Sequence, residues 1–253
     1  MTRNTLSRNS REMIIFALDE NKSLEDAMSW VECLRDHVGM FKVGKESYTL
    51  YGPRIVEEIR GKGGKVFLDL KFHDIPNTAA AAASAAVKLG VSMFNIHALG
   101  GRRMMAETVS AVKKTVKDYD LPMPVILAVT VLTSLNDGDL EGLGFKYPAG
   151  ELALHLAKVA KEAGIPGVVA SAQDIENIRT SCGRDFLIVT PGIRDSEGND
   201  DQKRVSTVKN AVIRGADYIV VGRPIRLAED PVRKAEEITK QISEALAIKQ
   251  KVI

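Results

Sequence analysis

Only two cysteines occur in the 253 residues, Cys33 and Cys182, far apart and in no metal-ligand spacing. They read as buried thiols in a reducing cytosol. No run approaches the roughly 18 apolar residues of a membrane span. The opening segment, MTRNTLSRNSRE, lacks the apolar core of a secretory signal. An excess of charge is missing too: 35 basic side chains face 33 acidic ones, a net +2. That balance gives no broad field for nucleic acid or an anionic membrane. No G-x-G-x-x-G follows the first apolar run, so a dinucleotide fold lacks its fingerprint. Dense carboxylate or His/Cys clusters are absent as well. These gaps predict a soluble, cytoplasmic protein with neither a nucleic-acid nor a membrane partner, and they argue against a metal site.

What is present is a regular alternation. Hydrophobic residues make up 45% and charged residues 27%, enough for a sizeable core. Short apolar runs begin at Met13, Met40, Lys65, Met93, Val125, Gly167, Phe186 and Tyr218, and helical patterns separate them. Ser23 suits an N-cap, and Pro76 and Pro231 suit first helical turns. The alanine run from Ala79 to Ala86 suits a tightly packed helix. Several strands are apolar throughout, as when both faces are covered. Strict β/α alternation implies a parallel sheet. Eight such units, at about 250 residues, predict an α/β fold closed into a single-domain (β/α)8 TIM barrel over residues 13–247. Residues 1–12 are expected to be a flexible tail, and IKQKVI another.

Active sites of such barrels sit at the C-terminal ends of the strands. Polar residues at those ends are therefore candidates: Asp19 after the first strand, Lys42 in the second, Asp69 and Lys71 in the third, with His73 and Asp74 beyond. His97 ends the fourth strand; Thr130, Thr133 and Ser134 follow the fifth. Arg194 and Arg223 follow the seventh and eighth. Any one of these alone reads equally well as a helix cap or a structural side chain. Charges at the same end of five strands are a pattern. Asp69 and Lys71, two apart, point to one side of a strand. With Asp19 and Lys42 from neighbouring strands they form an alternating array of Asp and Lys. Alternation makes buried charge tolerable and keeps every member ionised. Magnesium held by Asp19 and Asp69 is the rival chemistry, but two lysines already supply positive charge there.

The loops after strands seven and eight, Thr190-Pro191-Gly192-Ile193-Arg194 and Val221-Gly222-Arg223-Pro224, suit a phosphate: glycines allow close approach and two arginines supply charge. The polar stretch from Asp195 to Gln202 suits either a mobile lid or a solvated surface loop.

Taken together, FALD, FKVG, LDLKFHDIPNT, VTVLTS, TPGIR with DDQ, and VVGR resemble the orotidine 5′-monophosphate decarboxylase family over about residues 13–245. The D-x-K-x-x-D run alone is shared with magnesium-dependent sugar-phosphate decarboxylases and synthases; HDIPNT and the TPGIR/VVGR pair are more specific. The resemblance implies a cofactor-free homodimer that converts orotidine 5′-monophosphate to uridine 5′-monophosphate, the last step of pyrimidine nucleotide synthesis. It implies a catalytic set of Lys42, Asp69, Lys71 and Asp74, the last contributed across the dimer interface, with Lys71 as the proton donor. It moves Asp19 from the array to the ribose, where Thr78 of the second subunit joins it. It assigns Ser134 to the pyrimidine, with Thr133 beside it at the substrate, Gln202 to a bridge between base and phosphate, and Gly222 and Arg223 to the phosphate. Pro191 and Arg194 become binding-site positions in the loop after strand seven.

Overall fold

The computed structural model describes residues 9–19, 22–193 and 206–252. Eight parallel strands close into a barrel in sequence order. They are β1 (Ile14–Ala17), β2 (Met40–Gly44), β3 (Val66–Phe72), β4 (Met93–His97), β5 (Val125–Val129), β6 (Gly167–Val169), β7 (Leu187–Thr190) and β8 (Tyr218–Val221). The ring closes because β8 pairs with β1, Ile219 opposite Ile14 and Val221 opposite Phe16.

Helices α1 (Leu24–Leu34), α2 (Lys45–Tyr51), α3 (Arg54–Gly61), α4 (Pro76–Lys88), α5 (Gly101–Tyr119), α6 (Asp137–Gly142), α7 (Ala149–Glu162), α8 (Ile175–Cys182), α9 (Val208–Arg214), α10 (Arg223–Arg226) and α11 (Pro231–Val252) run around it. The expected caps are present: the Ser23 hydroxyl accepts from the Asp26 N–H, and Pro76 opens α4. Three departures have local causes. Gly52, at φ 58°, and Pro53 split the predicted second helix into α2 and α3. Asn136 and Asp139 form a reciprocal capping box that starts α6 inside the long connection after β5. Residues Ser10–Met13 form a 3₁₀ turn rather than tail, with Ser10 and Met13 buried and the Ser10 and Ser243 hydroxyls 2.7 Å apart. Cys182 is buried as expected, but Cys33 is exposed.

Strand alternation divides the core in two. Phe16, Phe41, Leu68, Phe94, Ile126 and Ile188 pack outward against the helices. Ile15, Ala17, Met40, Phe67, Met93, Leu127, Val189 and Val220 fill the barrel itself. The interior is packed rather than hollow, as barrels of this kind require. Lys42, Asp69 and Asn95 lie two residues beyond Met40, Phe67 and Met93, so each follows an interior-facing position toward the C-terminal mouth. Among the described residues no helix is long and apolar enough to cross a membrane.

Candidate active site

A cavity of about 440 Å³ opens at the C-terminal end of the barrel. Its apolar walls include Ala17, Phe67, Val129, Val169 and Val220. Asp19, Lys42, Asp69 and Lys71 line one side of it in a continuous row. Lys42 Nζ lies 3.2 and 3.1 Å from the two Asp19 carboxylate oxygens and 3.4 Å from Asp69 Oδ2. Lys71 Nζ donates to Asp69 Oδ1 at 2.7 Å. The row therefore alternates Asp, Lys, Asp, Lys, as the residues alone predict.

Burial decides how strongly these charges couple. The side chains of Lys42 and Asp69 are only 11% and 13% exposed, against 27% for Lys71 and 38% for Asp19. Burial works against the Lys42 charge, but the carboxylates of Asp69 and Asp19 outweigh it and hold its pKa above the ordinary lysine value. Burial likewise opposes ionisation of Asp69, yet Lys42 and Lys71 overcome it and hold the Asp69 pKa below the ordinary range. Both groups thus stay charged at neutral pH. The two carboxylates are spent on ammonium groups, which leaves little for a divalent cation.

Gly44 is part of this geometry. A β-carbon there would lie 2.7 Å from Asp19 Oδ1 and 3.1 Å from Lys42 Nζ, so any side chain would disrupt the pair.

Lys71 reaches the row by an irregular path. Its φ is 54°, in the left-handed region, and the β3–β4 pairing slips between Leu68 and Phe72. Such a backbone costs a non-glycine residue about 1–2 kcal/mol. The Lys71 N–H donates to Asn95 Oδ1 at 2.8 Å, and Asn95 Nδ2 donates to Asp69 Oδ1 at 2.7 Å. The sequence reading did not single out Asn95. Its signal was there: one carboxamide inside the apolar strand Met93-Phe94-Asn95-Ile96.

The remaining predicted residues divide into three groups. Thr133, Ser134, Pro191, Gly222 and Arg223 line the cavity. Asp74 and Thr78 do not; both are exposed on the rim, and the Asp74 carboxylate accepts from the Ile75 N–H at 2.6 Å. Arg194, Gln202 and the Asp195–Gln202 stretch lie outside the described residues. Arg226, also missed, lines the cavity and rests its guanidinium 5.1 Å from the Trp30 ring and 5.7 Å from the Phe16 ring. His97 stands outside the cavity, stacked on His73 with ring centroids 5.2 Å apart. Burial, the neighbouring His73 and the lysines Lys71 and Lys45 push the His97 pKa down to about 4, so it is neutral near pH 7.

The barrel mouth thus combines a buried Lys–Asp row with an arginine-bearing glycine loop after β8. The model of the orotidine 5′-phosphate decarboxylase / HUMPS family matches residues 12–238. The chain belongs to this family. A protein of Syntrophus aciditrophicus (strain SB), named orotidine 5′-phosphate decarboxylase, is 59% identical over 249 residues, covering 98% of this chain and 99% of its own. The protein of that name from Geobacter sp. (strain M21) is 52% identical over 230 residues, covering 90% and 95%. Among solved structures, orotidine 5′-phosphate decarboxylase from Lactobacillus acidophilus superposes with a TM-score of 0.80 at 38% identity, covering 90% of this chain and 98% of its own. The family's decarboxylases thus match the chain over nearly its whole length.

Proposed function

We propose that this protein decarboxylates orotidine 5′-phosphate to uridine 5′-phosphate in the cytoplasm, without metal or organic cofactor, as a homodimer. The observation that carries the reading is the buried row Asp19–Lys42–Asp69–Lys71 along one wall of the cavity. Its relatives' names supply the substrate.

The chemistry follows from the row. Breaking the bond between C6 of the pyrimidine and its carboxylate releases CO₂ and leaves an electron pair at C6. That pair lies in the ring plane, where the π system cannot delocalise it. Stabilisation must come from fixed charge in a site shielded from water. The Lys71 ammonium supplies it, then gives its proton to C6 and recovers one from solvent. Asp69, beside the departing carboxylate, disfavours that charge before reaction. Lys42 holds Asp69 and Asp19 in register, and Asp19 meets the ribose. Thr133 and Ser134 face the pyrimidine; Gly222 and Arg223 take the phosphate, with Pro191, Arg194 and Gln202 completing that side. Binding energy from the phosphate, remote from C6, is available to organise the site.

The test is direct. Purified protein dialysed against EDTA should convert orotidine 5′-phosphate to uridine 5′-phosphate with the accompanying fall in absorbance and release of CO₂. No conversion, or conversion that returns only with added Mg²⁺, would overturn the reading.

Asp74 and Thr78 enter through a second copy of the chain. Both are exposed beside Ile75, whose surface is 67% accessible, so a partner docked there brings them to the neighbouring cavity. Mixed dimers check this. Lys71→Ala and Asp74→Ala chains should each be nearly inactive alone. Unfolded and refolded together in equal amounts, half the dimers pair one of each, and each such dimer keeps one intact site. Activity should recover to about a quarter of wild type. No recovery on mixing would place Asp74 in its own subunit's site, or in none.

A further inference from the structure

Asn95 occupies an interior-facing position of β4 and is fully buried. It contributes nothing to the cavity wall, yet both edges of its carboxamide are used by the row that does. Its oxygen accepts the Lys71 N–H, and its NH₂ donates to Asp69 Oδ1, the same oxygen that receives the Lys71 ammonium at 2.7 Å. The bonds form a closed loop: Lys71 backbone, Asn95, Asp69, Lys71 side chain. The amide's orientation is dictated by its neighbours, since an N–H needs an oxygen and a carboxylate needs a donor.

This loop sits where β3 leaves its regular ladder. At φ 54° and with the β3–β4 register slipped, the Lys71 N–H takes a side-chain acceptor from β4 in place of a strand carbonyl. We propose that Asn95 is a positioning residue for decarboxylation, fixing the left-handed backbone of Lys71 and the rotation of the Asp69 carboxylate together. The inference rests on the decarboxylase reading above and deepens it. Filling the space would need only an apolar side chain of similar size. Only a group that both accepts and donates can hold these two partners at once. Aspartate keeps the volume and the acceptor but sets a second carboxylate against Asp69, alongside Lys42 and Lys71.

The experiment compares wild type, Asn95→Ala and Asn95→Asp as purified proteins, measuring kcat, KM and the pH profile with orotidine 5′-phosphate, with thermal melts as a control for folding. Asn95→Ala should lower kcat by roughly 100-fold while KM moves less than about threefold, the pattern of a misplaced reacting group. Asn95→Asp, the variant that preserves packing if alanine proves unstable, should lower kcat at least about tenfold and move the acid limb of its pH profile upward. A folded variant of either kind with kcat within about threefold of wild type would overturn the proposal. So would activity that falls only in step with melting temperature and leaves the pH profile of Asn95→Asp unshifted. A wild-type protein inert toward orotidine 5′-phosphate would instead overturn the decarboxylase reading, and Asn95 with it.

Discussion

Lys71→Ala is expected to lower kcat for orotidine 5′-phosphate by on the order of 10⁵-fold, about 7 kcal/mol of transition-state stabilisation. The size follows from two losses at one atom. A placed proton donor contributes about 10²–10⁴-fold, and a fixed charge at the developing anion about 10²–10³-fold. Among the described residues no neighbour replaces either. Lys42 Nζ is bracketed by Asp19 and Asp69 and its side chain is 11% exposed, so it is not free to swing toward the ring. Product affinity should fall far less, because the contacts proposed for phosphate and ribose do not involve Lys71. Single-turnover kinetics at saturating substrate would measure the chemical step, and binding of uridine 5′-phosphate the ground state. A fall of less than about tenfold would remove Lys71 from its role as acid.

Asp69→Asn should carry the largest cost in stability. The carboxylate sits between two ammonium groups, at 2.7 Å from Lys71 and 3.4 Å from Lys42. Neutralising it leaves Lys42 with Asp19 alone and Lys71 with no carboxylate partner among the described residues. Breaking a buried pair from one side costs about 3–5 kcal/mol. For a chain of this length that is a fall in Tm of roughly 6–20 °C. The pH dependence has a definite sign. The folded pKa of Asp69 lies below its ordinary value, so its contribution is complete above about pH 4 and is lost as pH falls through the folded value. Lys42 is shifted the other way, so its contribution is complete below about pH 10 and is lost as pH rises through its raised pKa. The Tm gap between wild type and Asp69→Asn should therefore be level across the neutral range and shrink below about pH 4. Calorimetry over that range checks both statements; a gap that widens in acid would refute the pairing.

The barrel and most of the row were legible in the sequence because each leaves a local mark. Apolar runs separated by helical patterns count the strands, and a charge at an interior-facing strand end stands out against its surroundings. Lys42, Asp69 and Lys71 are such charges. Asp19 is instructive: the residues alone put it in the row, where its carboxylate does meet Lys42. The bent path of Lys71 left no mark. Leu68-Asp69-Leu70-Lys71-Phe72 contains no glycine to announce a positive φ, and the simple two-residue alternation gives the right side for a different backbone reason. The Asn95 contacts depend on the register between β3 and β4, which no single segment encodes. Gly52-Pro53 and the Asn136 box, by contrast, were readable turn signals.

The row has one more property. Two carboxylates and two ammonium groups sum to zero, so their field cancels within a few ångströms and is further screened beyond a Debye length of about 8 Å. The lysines proposed to act on the nucleotide are nearly invisible to it in solution. On the proposed function, long-range steering of the anionic substrate falls to cations outside the row, and Arg223 and Arg226 line the cavity from the short helix after β8. The proposed function thus divides capture and chemistry between two sets of cations, one that is sensitive to salt and one sheltered from it.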